Sequence, residues 1–269
     1  MTDPIDLHFE DTGGAGRPVV LIHGWPLAGE AWAKQVPALR HAGYRVITYD
    51  RRGFGQSPNP DHGYDYDALT TDLRGLMERL DLRDVTLVGF SMGGGEVARY
   101  IPMFGAERIH SLIFASAVTP YMLRTQDNPD GPLTKDAAAQ MEQALRQDRK
   151  SFFDGFTRDF FTANGTLKVS EDDRQLAITL CHQSDQVAAL GCMASFGTTD
   201  FRADLPQIQV PVLVLHGTAD GIVPIEGSGL RTHRAIPGSV LVTIADAPHG
   251  CNTSHPEEFN TALLDFLQK

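Results

Sequence analysis

The five residues Gly89-Phe90-Ser91-Met92-Gly93 constrain this chain most. They follow the apolar run Val85-Thr86-Leu87-Val88 and precede Gly94, Gly95 and a stretch of helical spacing through Val97 and Tyr100. A G-x-S-x-G pattern between a strand and a helix implies a sharp turn that lifts a serine hydroxyl clear of the sheet. Small flanking residues let neighbouring backbone pass close to the bend. The helix that follows points its positive end at the serine, where negative charge would develop in a reaction. The pentapeptide alone also fits a buried serine in a glycine-rich turn. The flanking strand and helix, and the partners below, favour a nucleophile.

A serine hydroxyl needs a base, because it is weakly nucleophilic at neutral pH. The chain has ten histidines. His249, in Asp246-Ala247-Pro248-His249-Gly250, follows the last strand signal. A short loop there carries an imidazole back over the carboxyl ends of the strands. His23 and His216 also end strands and are the rival pocket histidines. His182 and His255 fall in a helix and at a helix start, where local contacts account for them. The third member should orient the imidazole and stabilise its charged form. Asp220 stands just beyond the run Val212-Leu213-Val214-Leu215-His216-Gly217 and fits that role. Asp246 is the chief competitor, three residues before His249, and suits a loop hydrogen bond better. Asp204 precedes the penultimate strand, at its opposite end. Two backbone N–H groups should face the oxyanion: Met92, next to Ser91, and Trp25, in the turn His23-Gly24-Trp25-Pro26. Pro26 has no N–H to give. The side chains of Trp25, Phe90 and Met92 are expected in the substrate pocket.

The rest of the chain supplies a sheet to carry these residues. A strand includes Leu7 and Phe9. Pro18-Val19-Val20-Leu21-Ile22 is continuously apolar, as in a parallel sheet buried on both faces. Trp32 to Leu39 reads as a helix ending near Gly43, and Tyr44 to Tyr49 as a strand. Leu69, Leu73, Leu76, Met77 and Leu80 give Tyr66–Leu80 one helical stripe. Further strands are read at Ile109–Ala115, Val210–Gly217 and Val240–Ala245, and a last helix at Pro256–Leu267. This alternation predicts an α/β fold with a mostly parallel central sheet. The rhythm breaks at residues 121–200, which are rich in helix formers and carry Phe152, Phe153, Phe156, Phe160 and Phe161. The expected organisation is a core of residues 1–120 and 201–269 with a helical cap, 121–200, inserted between strands.

Composition narrows the partners. Of 269 residues 42% are hydrophobic, enough for one large core. Acidic residues outnumber basic ones 34 to 23, for a formal charge of −11. Such a surface repels nucleic acid and anionic lipid, so neither is expected as a partner. Three cysteines, an odd and sparse count, do not suggest a disulfide scaffold, although one bridge, Cys181–Cys192, is open. The first residues, MTDPIDLHFEDTGGAG, show no basic region followed by an apolar run, and a cytoplasmic location is the default expectation. No metal is expected, since His23, His216 and His249 lack a ligand spacing. Arg51-Arg52-Gly53 has no phosphate-cradling glycine pattern around it, and a loop-stabilising role is expected for at least one arginine.

The chain resembles the cofactor-free haloperoxidases, also called perhydrolases, with the related aryl esterases and lactonases of the α/β-hydrolase superfamily. The likeness is carried by His23-Gly24-Trp25-Pro26-Leu27, by Asp50-Arg51-Arg52-Gly53-Phe54-Gly55 and by Gly63-Tyr64-Asp65-Tyr66-Asp67. Val88 to Gly93 with Gly95 to Tyr100, and Ala247-Pro248-His249-Gly250, extend it. The stretch from about Leu123 to Thr199 matches poorly. Gly94 and the run Cys251-Asn252-Thr253-Ser254-His255 also depart from the pattern. The resemblance implies an α/β-hydrolase core, the chain order Ser91, Asp220, His249, oxyanion donors at Trp25 and Met92, and neither metal nor haem. It also implies an acyl-serine made from a small ester or carboxylic acid. Water would resolve it to acid; hydrogen peroxide would give a peracid able to oxidise halide in solution.

Other readings use the same residues differently. A lactonase or a carbon–carbon bond hydrolase could run on the same triad, and a catalytically silent ligand receptor on the same fold. Dehalogenases and epoxide hydrolases of this fold use an aspartate where Ser91 stands. A homo-oligomer is compatible with this sequence.

Overall fold

The structure, a computed structural model, describes residues 3–269. The first half lays down five strands and three helices: β1 (Phe9–Asp11), β2 (Pro18–Ile22), α1 (Val36–His41), β3 (Arg45–Tyr49), α2 (Tyr66–Arg79), β4 (Val85–Phe90), α3 (Gly93–Phe104) and β5 (Ile109–Ala115). Four helices then intervene: α4 (Lys135–Gln147), α5 (Arg149–Phe161), α6 (Glu171–Gln183) and α7 (Gln186–Thr198). A hairpin of β6 (Thr162–Ala163) and β7 (Thr166–Leu167) sits between α5 and α6. The chain returns to the sheet with β8 (Val212–Gly217), α8 (Gly229–Ala235), β9 (Val240–Ile244), α9 (Cys251–Ser254) and α10 (Pro256–Leu267).

Seven strands form one sheet in the order β1-β3-β2-β4-β5-β8-β9. Only β1 is antiparallel to its neighbour, with Phe9 opposite Tyr49. The other pairs are parallel, as helical crossovers require. Burial explains the composition of the central strands: Val19 to Ile22 and every residue of β4 are inaccessible or nearly so. The edge strand β9 is partly exposed and carries a weaker apolar signal. Helix α2 buries Leu69, Leu73, Leu76 and Met77, and Asp65 caps it by accepting from the Ala68 N–H.

Several boundaries differ from the sequence reading. The span Trp32–Leu39 is not one helix. A 3-10 turn covers Gly29–Trp32, and α1 starts only at Val36, with Pro37 in its first turn, where a missing N–H costs nothing. Leu7 lies outside β1. Its carbonyl accepts from Arg79 and the neighbouring His8 N–H goes to Ser57, so side chains take the bonds a strand would use. Strand β8 begins after Pro211, which has no N–H for a ladder. The hairpin within 121–200 was not anticipated. Its turn is Asn164-Gly165, both with positive φ, a pair suited to a two-residue turn. All three cysteines are free and buried, so the open Cys181–Cys192 bridge is not formed. Cys181 lies near Arg149 and Cys192 near Arg51, in separate surroundings. Among the described residues no helix is long and apolar enough to cross a membrane.

Candidate active site

Ser91 stands between β4 and α3 with φ +53°, a conformation that is costly for a non-glycine residue. Its backbone holds it there. The Ser91 N–H donates to the Ala115 carbonyl at 2.8 Å, and its own carbonyl accepts from Gly94 at 3.0 Å and Val118 at 3.2 Å. The glycines of the motif have a steric reason. A Cβ on Gly89 would lie 2.4 Å from the Gly93 carbonyl oxygen, and one on Gly93 would lie 2.6 Å from that of Ile22.

His249 reaches this serine from the loop between β9 and α9. Its Nε2 is 2.9 Å from Ser91 Oγ, and its Nδ1 is 2.7 Å from Asp220 Oδ2. Asp220 follows β8. Its Oδ1 accepts from the N–H groups of Ile222 and Val223, at 3.0 and 2.8 Å. Burial alone would discourage a charge on Asp220, but His249 and His216 outweigh it and hold the carboxyl well below the usual range. The imidazole of His249 is flanked by the rings of Phe90 and Phe160, with centroids 5.2 and 5.0 Å away. All three polar side chains are buried.

The rival residues are engaged elsewhere. Asp246 is exposed and ion-paired with Lys168, with Asn164 as a second donor, so it fastens the cap hairpin. Asp204 pairs with Arg99 at 3.0 Å. His182 packs on Phe153, and His255 bonds the Ser254 hydroxyl. His23 is buried. Desolvation and the adjacent Arg51 depress its basicity far below the ordinary value. Its Nε2 accepts from the Arg51 N–H, so its Nδ1 carries the hydrogen and donates to the Gly24 carbonyl at 2.8 Å.

That bond orients the candidate oxyanion turn. The Gly24 carbonyl also accepts from Leu27, and in a trans peptide the N–H of Trp25 points the opposite way. The turn lies against the serine: a Cβ on Gly24 would fall 3.1 Å from Ser91 Cβ. Among the described residues neither the Trp25 nor the Met92 amide has a hydrogen-bond acceptor within the protein. Both arginines of the 51–52 pair are loop fasteners. Arg51 pairs with Glu96 on α3 and donates to the His23 carbonyl at 2.8 Å; Arg52 pairs with Asp72 on α2. All four charged groups are buried.

A cavity of about 60 Å³ opens onto Ser91 and His249. Trp25 forms one wall, and its indole N–H donates to the Ala189 carbonyl of α7 at 2.9 Å, tying the cap to the core. The sequence did not reveal the remaining lining: Val118, Met122, Leu133, Met141, Phe156 and Phe196, with Ile222 and Val223 from the loop that carries Asp220. Phe90 and Met92 do not line the cavity. Phe90 is sealed behind His249 by Trp32 and Phe160, and the Met92 side chain is fully buried under the turn. Among the described residues, none that lines the cavity is an Asp, Glu, Lys or Arg.

The α/β-hydrolase fold family matches residues 17–177. A putative non-heme chloroperoxidase of Synechocystis sp. is 44% identical over 98% of this chain and 95% of its own length. A bifunctional esterase/perhydrolase of Acinetobacter calcoaceticus is 34% identical over 99% of this chain and 97% of its own. The crystal structure of a bromoperoxidase from Bacillus anthracis superposes with a TM-score of 0.96 at 50% identity, covering 98% and 96% of the two chains. The chain therefore belongs to the α/β-hydrolase fold family, as an enzyme of the esterase and haloperoxidase type closely related to the non-heme chloroperoxidases.

Proposed function

We propose that Ser91, His249 and Asp220 are the catalytic triad of an esterase for small, uncharged acyl groups, and that hydrogen peroxide can replace water in its second step. The observation that carries this is the chain of short contacts from Ser91 Oγ through His249 to Asp220 Oδ2, at the mouth of an apolar cavity. Ser91 Oγ attacks the ester carbonyl while His249 Nε2 takes its proton. Asp220 holds the tautomer with hydrogen on Nδ1 and stabilises the imidazolium that forms. The N–H groups of Trp25 and Met92 receive the oxyanion, aided by the N-terminus of α3. His249 returns its proton to the leaving alcohol, then activates the second nucleophile. Water yields the carboxylic acid. Peroxide yields a peracid, which oxidises halide after release and needs no halide site.

Two features support the small acyl group. The cavity is narrow, and its walls offer no partner for a charged or strongly polar chain. The esterase/perhydrolase relative supports the peroxide branch. The test is a panel of short-chain esters, with and without peroxide, measuring acid, alcohol and peracid together, with Ser91→Ala as the control. Peracid that depends on Ser91 supports both branches. Ester cleavage without Ser91-dependent peracid leaves the hydrolase and removes the perhydrolase.

A further inference from the structure

Asp220 Oδ2 is shared between two imidazoles. His249 Nδ1 lies 2.7 Å from it and His216 Nε2 lies 3.2 Å from it. His216 Nε2 also stands 2.8 Å from the Val223 carbonyl. Both of these neighbours accept, so Nε2 carries the ring hydrogen. The opposite atom, Nδ1, is buried without a hydrogen-bond partner among the described residues and faces the backbone of Gly229, where an added Cβ would lie 2.6 Å away. A ring nitrogen left unpartnered in a sealed site carries a cost. Filling the space would not require it, since an apolar side chain would do so without that cost. What the ring supplies in return is a donor to the carboxylate and to the loop that wraps it.

We propose that His216 is a positioning residue for the triad: its Nε2–H fixes Asp220 against the Val223 loop and shares the charge that His249 would otherwise hold alone. This rests on Asp220 being the acid partner of His249. The groups facing the carboxylate are few. His249 comes from the β9–α9 loop, Cys251 from α9, and His216 from β8. Ser91 stands beyond His249, and Ser116 at the end of β5 meets the Cys251 sulfur at 3.5 Å. Helix α8 presents Gly229, and Ser228 before it bonds the Pro224 carbonyl. Burial pushes the Cys251 thiol up to about 12, so it stays un-ionised through the working range. Asp246 is exposed and paired with Lys168.

Removing the His216 donor leaves more of the Asp220 charge for the His249 imidazolium. The acid side of the kcat/KM profile then moves upward. One lost hydrogen bond to a charged group predicts a shift of up to about one to two pH units. The variants are His216→Leu, which removes the donor, and His216→Gln, whose amide nitrogen occupies the place of Nε2. His216→Asn, too short to reach, serves as a second removal should the leucine protein not fold. The expected result is an upward shift in H216L or H216N, a lower kcat at similar KM, and a wild-type profile in H216Q. An unmoved or downward-shifted profile in the removal variants, or an equal shift in H216Q, overturns the role. Asp220→Asn measured alongside separates the two claims. Wild-type turnover in D220N would reject the triad itself, whereas a crippled D220N with an unmoved H216L profile rejects only His216.

Two methionines, Met122 and Met141, line the same cavity as Ser91 and His249. We infer that a peracid formed on Ser91 oxidises these two methionines before it leaves, so that perhydrolysis limits its own lifetime. This rests on the peroxide branch. The sulfur attacks the terminal peroxy oxygen, an S–O bond forms and the O–O bond breaks. The thioether loses two electrons and becomes a sulfoxide, while the peracid becomes the carboxylic acid and keeps the hydrogen. Two polar sulfoxides would then stand in an apolar acyl pocket. Met103, half-buried on α3 and outside the cavity, is the internal comparison. The test is peptide mass mapping after exposure to a short ester and peroxide, with released peracid measured in the same tubes and S91A as background. The expected result is several-fold more sulfoxide at Met122 and Met141 than at Met103, absent in S91A and rising as activity falls. Released peracid with equal oxidation at all three positions overturns the inference and leaves perhydrolysis standing. No peracid and no excess oxidation overturns both.

Discussion

At the carboxyl ends of the strands, polar groups are buried and paired, whereas the underside of the cap is almost wholly apolar. The sheet side seals in Ser91, His249, Asp220, His23, Arg51 and Glu96, each with named partners. The cap side offers Leu133, Met141, Phe156 and Phe196. The difference divides the labour. Buried hydrogen-bonded networks fix position to a fraction of an ångström, as proton transfer demands. Apolar side chains, above all methionine, tolerate changes of shape and suit a wall that selects among acyl groups. The Arg51–Glu96 pair links the two turns of the candidate site: Glu96 rides on the helix that follows Ser91, and Arg51 grips the carbonyl of His23 before the Trp25 turn.

If that division is right, changes at the strand ends should abolish turnover and changes in the cap should redirect it. Ser91→Ala and His249→Ala should each lower kcat for a short ester by about 10⁴-fold or more, with the fold intact by circular dichroism. Asp220→Asn should cost roughly 10⁴-fold in kcat while KM moves little, because an imidazole is present but misoriented. A neutral D220N beside a crippled Asp246→Asn would transfer the acid role to Asp246. Breaking the buried pair by Arg51→Met leaves Glu96 without its cation, with the Tyr49 hydroxyl as its remaining donor, and should cost about 3–5 kcal/mol of stability in denaturant unfolding. Phe156→Ala in the cap should change the preferred acyl length, with kcat/KM ratios between short and longer esters shifting about tenfold. An equal loss for all esters would show that the cap also holds the machinery.

The smallest effect concerns acid. Glu171 at the start of α6 is held down to about 2 by hydrogen bonds from Arg174 and Gln175. A depressed carboxyl contributes stability that is present above its ordinary value near 4.5 and is lost as pH falls toward 2. Amide protection at the start of α6 should therefore fall across that window relative to β4. An equal loss of protection in both would show no local role for Glu171.

The same division governs what could be read from the chain. The central strands are legible because burial on both faces demands unbroken runs such as Val19 to Ile22. The elbow is legible because its glycines answer clashes within a few residues, between Gly89 and the Gly93 carbonyl. His249 and Asp220 follow from where their strands must end. The second contact of Asp220, with His216, was hidden although only four positions separate them, because it depends on how the loop folds back through Val223. Phe90 was misplaced for a related reason: adjacency to Ser91 says nothing about which side of the turn a ring occupies. The cap resisted most. Helix α7 is apolar nearly all round, through Val187-Ala188-Ala189-Leu190 and Cys192-Met193, so no stripe marks the face that meets the cavity. The hairpin at Asn164-Gly165 did carry a local signal, one masked by the helix formers around it.

The most direct test of Ser91 as nucleophile is intact-mass and peptide analysis after a serine-directed phosphonate, on the wild-type enzyme and on S91A and H249A. One adduct per chain is expected, located at Ser91, absent in S91A and formed far more slowly in H249A. An adduct on another residue of the wild-type enzyme, or undiminished labelling in S91A, would contradict it.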